Sequence, residues 1–260
     1  MKSVFKRMFI FVLSLLMIAT TVGCNASQKN WGKLSQEEKI DTVLQSFERM
    51  KNGEIHIVNT MNAEKVSPKE GESPIWKYEL EFTGTFELRP DHIVGKYLFD
   101  GKVSDYYCDR MCVYEKKETE AQWTTRRVDI VHYKQPMGIH QDAILYLQTI
   151  KDQLKLSEED DTVTVHYEAD DLEFLDANSD RLTGSTLNIY SFAKGDKSGK
   201  LTIDLTISKD DCTPVSVTIT GQGNNDYYKN RDFVSKTTFS KVNSGIHVDV
   251  PSGIENPIYD

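Results

Sequence analysis

Between residues 201 and 208 the chain alternates without a break: Leu201, Ile203, Leu205 and Ile207 are apolar, and Thr202, Asp204, Thr206 and Ser208 are polar. A period of two sends successive side chains to opposite faces of a strand, so this segment has one dry face and one wet face. Val163, Val165 and Tyr167 repeat the pattern, as do Val215, Val217 and Ile219. Tyr78, Leu80 and Phe82, set against Lys77, Glu79 and Glu81, do so again, with Phe86 and Leu88 continuing beyond Gly84. Strands wetted on one side belong to antiparallel sheets, because parallel sheets are covered on both faces and read as continuous apolar runs. The chain is therefore expected to be mainly β, built on an antiparallel sheet with a single dry side.

Two segments break the period of two. From Ser35 onward, Ile40, Val43, Leu44, Phe47 and Met50 fall at helical spacing, and Ser35 with Glu38 forms a capping box. Asn52 and Gly53 are expected to end that helix. A second helix is expected over 142–156, where Ala143, Leu147, Ile150 and Leu154 share a face widened by Ile144. Residues 62–74, carrying Pro68, Gly71 and Pro74 among charges, read as a long exposed connection. Further strands are expected at 92–100, 103–108, 112–118 and 122–132, and a last one at Ile246, Val248 and Val250. Glu158 to Asp161 reads as an acidic turn, and Gly221 and Gly223 as a flexible loop between strands.

The amino end is a separate unit. Lys2, Lys6 and Arg7 precede an apolar run from Met8 to Ile18, and Thr21, Val22 and Gly23 lead to Cys24. A positive end, a short apolar core and a small-residue exit make a secretory signal, and the run falls short of the roughly 20 residues needed to span a bilayer. With a cysteine directly after the small residue, the segment resembles the bacterial lipoprotein box. The resemblance implies cleavage after residue 23 and a diacylglyceryl group on Cys24, anchoring the protein outside the cytoplasm. Asn25 to Lys33 would then be a polar tether reaching at most about 30 Å. Residues 34–260 are read as one domain, since all-β domains commonly run to this length.

Loss of the signal's three cations takes the net charge from −9 to −12. A surface of that sign repels phosphate backbones, and no basic stripe offsets it, so nucleic acid is not expected as a partner. Cys108 and Cys112 flank Asp109, Arg110 and Met111, which read as a hairpin loop bringing the two sulfurs near each other. A disulfide there and a pair of thiols are both compatible with the sequence. Cys212, beside Thr213 and Pro214, reads as a small buried residue.

Catalytic motifs are missing from the sequence. His56, His92, His132, His140, His166 and His247 are scattered and lack metal-ligand spacing. No serine sits in a Gly-x-Ser-x-Gly elbow. Asp176, Asn178 and Asp180 copy the first ligands of a calcium loop, yet Arg181 and Leu187 stand where such a loop needs glycine and glutamate. A polar turn is expected there, and the carboxylate pairs at 158–161 and 170–171 are expected to be solvated. The reading is a non-enzyme with no metal and no cofactor.

The order helix, many strands, interrupting helix, further strands is similar to that of the LolA/LppX-like half-barrel lipoprotein carriers. Two segments carry the likeness besides the order. One is Glu115 to Arg126, a strand, turn and Trp-bearing strand, and the other is Phe239 to Pro251. The resemblance implies a strongly curved antiparallel sheet, a half-barrel, with both helices on its concave side, and an apolar cavity for a lipid or other hydrophobic molecule. Tyr78, Leu80, Phe82, Ile203, Leu205, Val217 and Ile219 would line that cavity or fill the core. The alternative is an interaction or sensing module of the cell envelope, with a partner protein and a solid interior. Metabolic labelling with palmitate is expected to mark the wild-type protein and to leave a Cys24→Ser variant unlabelled; labelling of both would remove Cys24 as the attachment site.

Overall fold

The computed structural model describes residues 31–88, 91–109, 112–127, 141–170 and 198–259. The expected signal, Cys24, the tether before Trp31, His132, His140 and the Asp176 to Asp180 turn lie outside these residues.

The described residues open with a 3-10 turn, Trp31–Lys33, and helix α1, Gln36–Glu48. The capping box is formed: Glu38 N donates to Ser35 Oγ at 3.2 Å, and Ser35 N donates to Glu38 Oε2 at 2.8 Å. Two orphan amides of the first turn are thereby satisfied. Ile40, Val43, Leu44 and Phe47 form the buried stripe that the spacing predicts.

Among the described residues twelve strands make one sheet: β1 Asn52–Lys65, β2 Ile75–Leu88, β3 Asp91–Phe99, β4 Lys102–Cys108, β5 Cys112–Lys117 and β6 Thr124–Arg127 precede helix α2, Gln141–Thr149. After it come β7 Lys155–Glu158, β8 Thr162–Ala169, β9 Ser198–Ser208, β10 Pro214–Asn224, β11 Tyr228–Ser240 and β12 Ile258–Tyr259. Their order is β12-β6-β5-β4-β3-β2-β1-β11-β10-β9-β8-β7. Neighbours are antiparallel throughout, apart from the short parallel pair β12 and β6. The sheet is curved and does not close, and a single large core gathers on its inner side from β1 to β5, β8 to β11 and both helices. A mainly β half-barrel with two helices is thus the fold.

Helix α1 packs on β7, β8, β9 and β10 and against α2. Its Phe47 meets Phe239 of β11 edge-on at 6.1 Å. Trp31 fastens the entry by donating Nε1–H to the carbonyl of Lys209 at 2.8 Å. Lys39 pairs with Glu158 at the end of β7, and this hydrogen bond holds the Glu158 carboxyl below the usual carboxylate range.

Five sequence expectations are corrected. Asn52 and Gly53 do not end α1; the helix stops at Glu48 with Arg49 as its cap, and Asn52 and Gly53 open β1 opposite Glu87 and Phe86. The connection expected over 62–74 is shorter, because β1 runs on to Lys65 and is paired to its end with β2 and β11. Helix α2 ends at Thr149; a 3-10 turn follows, Leu154 is buried beyond it, and Leu156 belongs to β7. Gly221 and Gly223 lie within β10, facing Phe233 and Arg231 of β11, where small residues leave room for large cross-strand neighbours. The closing strand at Ile246, Val248 and Val250 is absent. Positive φ at Lys241, Asn243 and Gly245 turns the chain out of the sheet, and Val248 and Ile254 pack with Tyr107 and Trp123 on the outer face.

Gly84 and Gly95 stand directly opposite each other in β2 and β3, beneath the ring of Phe82. A methyl group at Gly84 would lie 2.2 Å from the carbonyl oxygen of Val94 and 2.8 Å from Phe82 Cζ. Neither backbone nor a fully buried ring can yield that far. Gly84→Ala is expected to destabilise the fold by about 3 kcal/mol, the upper end of ordinary overpacking costs, measured by urea denaturation; a loss near zero would refute the close approach.

Candidate functional site

The register sorts the inner side chains into rows that run across the sheet. One row is Leu80 (β2), Asn59 (β1), Ser235 (β11), Ile219 (β10), Ile203 (β9) and Tyr167 (β8). Beside it run Phe82, Ile57, Thr237, Val217, Leu205 and Val165. A third holds Tyr78, Met61, Phe233, Gly221, Leu201 and Ala169. The seven residues singled out from the sequence, Tyr78, Leu80, Phe82, Ile203, Leu205, Val217 and Ile219, fall in these three adjacent rows and are all buried.

Three polar side chains sit among them: Asn59, Ser235 and Thr237, each at most 1 % exposed. Both amide atoms of Asn59, the Ser235 hydroxyl and the Thr237 hydroxyl have no hydrogen-bond partner. Leaving such a group unsatisfied costs about 1–3 kcal/mol each, so the middle of the inner face carries a local penalty that its apolar neighbours cannot relieve. Tyr167, at the end of the first row, has its phenol pushed up to about 12 by burial, with Tyr146 nearby, and is neutral at physiological pH.

Toward one end of the sheet the lining opens. Strand β2 pairs with β1 from Ile75 onward, but its ladder with β3 starts at Leu80 opposite Phe99. In the resulting notch lies a cavity of about 690 Å³. Trp76, Tyr78, Leu80 and Phe99 line it from the inner side, and Val58, Lys77, Glu79, Glu81 and Leu98 from the outer side. Tyr78 stacks obliquely on Phe99 at 5.3 Å, and Trp76 on Tyr228 at the same separation. The amide of Val66 donates to the carbonyl of Tyr227 at 2.9 Å, joining two turns at this end. Val66, Ile75, Leu98, Phe99 and Tyr227 are exposed there, so the rim carries apolar side chains beside the charged Lys77, Glu79, Glu81 and Asp100.

The outer face is polar and self-paired. His56 meets Glu81 at 2.8 Å, His166 meets Asp204 at 2.6 Å, and His247 meets Glu87 at 3.2 Å. Thr164 and Thr206 share a hydrogen bond at 2.9 Å across β8 and β9. His92 lies beside the ring of Tyr107. Among the described residues no three His, Cys, Asp or Glu side chains converge on a metal-sized space.

Cys108 and Cys112 are thiols rather than a disulfide in this structure. The register explains why. Cys108 stands opposite Val113, so Cys112, one residue earlier, points to the other face. Cys108 joins the inner core and its thiol donates to the Asp109 carbonyl at 2.9 Å, while Cys112 is half-buried outside near Tyr114. Burial, the Cys112 contact and the charge of Asp109 push the Tyr114 phenol up to about 12.

The sequence reading passed over Asn59, Ser235 and Thr237. A period of two through Ile55, Ile57, Met61 and Ala63 puts Asn59 on the dry face, and Phe233 and Phe239 do the same for Ser235 and Thr237.

No protein-family model matches the chain, and no curated protein matches it. Among solved structures, it is similar to the Mycobacterium tuberculosis lipoprotein LppX, with a TM-score of 0.44 and 12 % identity over 82 % of this chain and 97 % of that one. A DUF1329 family protein from Desulfovibrio piger gives a TM-score of 0.27 at 8 % identity, covering 81 % of this chain and 94 % of that one. A beta-barrel-like protein of the DUF1849 domain from Brucella abortus gives 0.25 at 10 %, covering 74 % and 98 %. Such scores carry no residue role and no ligand across to this chain.

Native protein treated with iodoacetamide is expected to be modified at Cys112, with Cys108 and Cys212 reacting only after unfolding. A mass two daltons lower before reduction than after it would instead show a bonded pair.

Proposed function

We propose that this chain is a non-enzymatic lipoprotein of the cell envelope, anchored through Cys24, that binds a lipid or other hydrophobic molecule along the concave face of its half-barrel. The observation that supports this best is the notch cavity. Its volume of about 690 Å³ falls within the range of ligand pockets, roughly 300–1,000 Å³. Its inner wall of Trp76, Tyr78 and Leu80 continues directly into the apolar rows of the core. An apolar chain entering there would lie against Trp76, Tyr78, Leu80 and Phe99, with Lys77, Glu79, Glu81 and Asp100 on the opposite wall. Each buried methylene contributes about 0.8 kcal/mol, so ten of them supply about 8 kcal/mol, an affinity near micromolar before ordering costs. Tyr78, Leu80, Phe82, Ile203, Leu205, Val217 and Ile219 serve in this reading as the lining.

A second reading, docking of an envelope protein, is favoured by one feature. Residues 75–79 of β2 have ladder partners in β1 and none in β3, which leaves a stretch of strand edge beside the cavity.

Protein lacking the lipid-bearing segment and purified without detergent is expected to carry acyl lipid in its native mass spectrum and, once stripped, to take up a fluorescent fatty acid with one-to-one stoichiometry. Trp76→Glu, which places a charge in the mouth, is expected to lower that uptake at least tenfold. A spectrum free of lipid together with no uptake would overturn the proposal.

A further inference from the structure

Asn59, Ser235 and Thr237 are fully buried on the dry side of the sheet, and none of their side-chain polar atoms is hydrogen-bonded. Native interiors rarely leave such groups alone, and several together call for a hydrogen-bonding partner from outside the chain. The three are contiguous. Asn59 and Ser235 are direct cross-strand neighbours, whose Cβ atoms in such pairs are about 5 Å apart. Thr237 follows Ser235 on the same face, about 7 Å along the strand.

Their chemistry is specific. Asn59 offers an amide donor and a carbonyl acceptor, and each hydroxyl can give or take one hydrogen bond. No charge sits in the cluster, so a carboxylate or phosphate placed here would be desolvated without a counter-charge, at a large cost. Among the described residues the buried cation on this face is Arg231, four residues from Ser235, about 13 Å away and beyond Phe233. Around the cluster stand the buried apolar side chains of Leu80, Ile57, Met61, Phe233, Ile219 and Val217, of which Leu80 also lines the notch cavity.

We propose that the ligand of the concave face is an acyl compound with an uncharged hydrogen-bonding group, an ester, amide or hydroxyl, within its apolar length, and that Asn59, Ser235 and Thr237 receive that group. The proposal rests on the concave face being a ligand site. It adds the class of ligand: neutral acyl esters or amides are selected over plain hydrocarbons, because an alkane would leave the three polar groups unpaired. The cluster acts as a depth gauge that fixes where the polar group stops, while the apolar rows on either side accept chains of varied length.

The test uses the full chain in its membrane fraction and two diazirine-bearing probes of equal chain length, a monoacylglycerol and a hydrocarbon. Crosslinks are mapped by mass spectrometry. Wild-type protein is expected to capture the monoacylglycerol on inner-face residues such as Leu80 and Ile219 at least tenfold more efficiently than the hydrocarbon. In the variant Asn59→Leu with Ser235→Ala and Thr237→Val, that preference is expected to fall to within twofold. Equal capture of both probes by wild-type protein would overturn the proposal and leave the ligand site standing. Failure of both probes to label the inner face would overturn the ligand site itself. The wild-type comparison decides without the variant, should the variant fail to fold.

Discussion

Everything in this molecule depends on register. Strands β1 and β2 are 14 residues long, β11 has 13, and β9 and β10 have 11 each, and along them dry residues stand opposite dry residues. A slip of one position between any two would turn an entire set of side chains from the core to the solvent. Fully burying a residue such as Phe82, Phe86 or Ile57 is worth about 1.5–3 kcal/mol, so several mispaired residues at once would exceed the stability of a typical domain. The register therefore holds, and with it the interior stays on one side of an unclosed sheet. Helix α1 fills that side against β7 to β10, and the longer reach of β2 relative to β3 leaves the notch at the other end.

Much of this architecture can be read in the chain. The capping box of Ser35 and Glu38 and the alternation around Leu201 to Ile207 stand out because one physical rule governs each, unopposed. The seven inner residues were legible for the same reason. Two long strands were not. In β1 the alternation through Ile55, Ile57, Met61 and Ala63 is broken by Asn59, and the Asn52 and Gly53 pair imitates a helix stop. In β11 the inner positions include Arg231, Ser235 and Thr237, while the exposed position 234 is valine, so hydrophobicity gives the wrong face. The 246–250 segment fails for the opposite reason: it alternates like a strand, but left-handed residues at 241, 243 and 245 steer it away from the sheet.

The strands that hide from the sequence are the ones that carry the polar cluster. Local rules are broken most often where a chain serves something besides its own stability. An apolar residue at position 59, 235 or 237 would strengthen both the pattern and the core, yet an amide and two hydroxyls stand there unsatisfied. On the outer face, by contrast, His56 pairs with Glu81, His166 with Asp204 and Thr164 with Thr206. Fold alone does not imply a ligand. What singles out the inner face is the conjunction of an apolar lining, an opening at its end and polar groups left waiting within it.

Isotope-filtered NOE spectroscopy on protein labelled at Ile, Leu and Val methyl groups and loaded with an unlabelled acyl chain examines that conjunction most directly. Occupation of the concave face predicts cross-peaks from the chain to the methyls of Leu80, Ile203 and Ile219. Cross-peaks confined to outer methyls such as those of Val94 and Val234, or none at all, would contradict it.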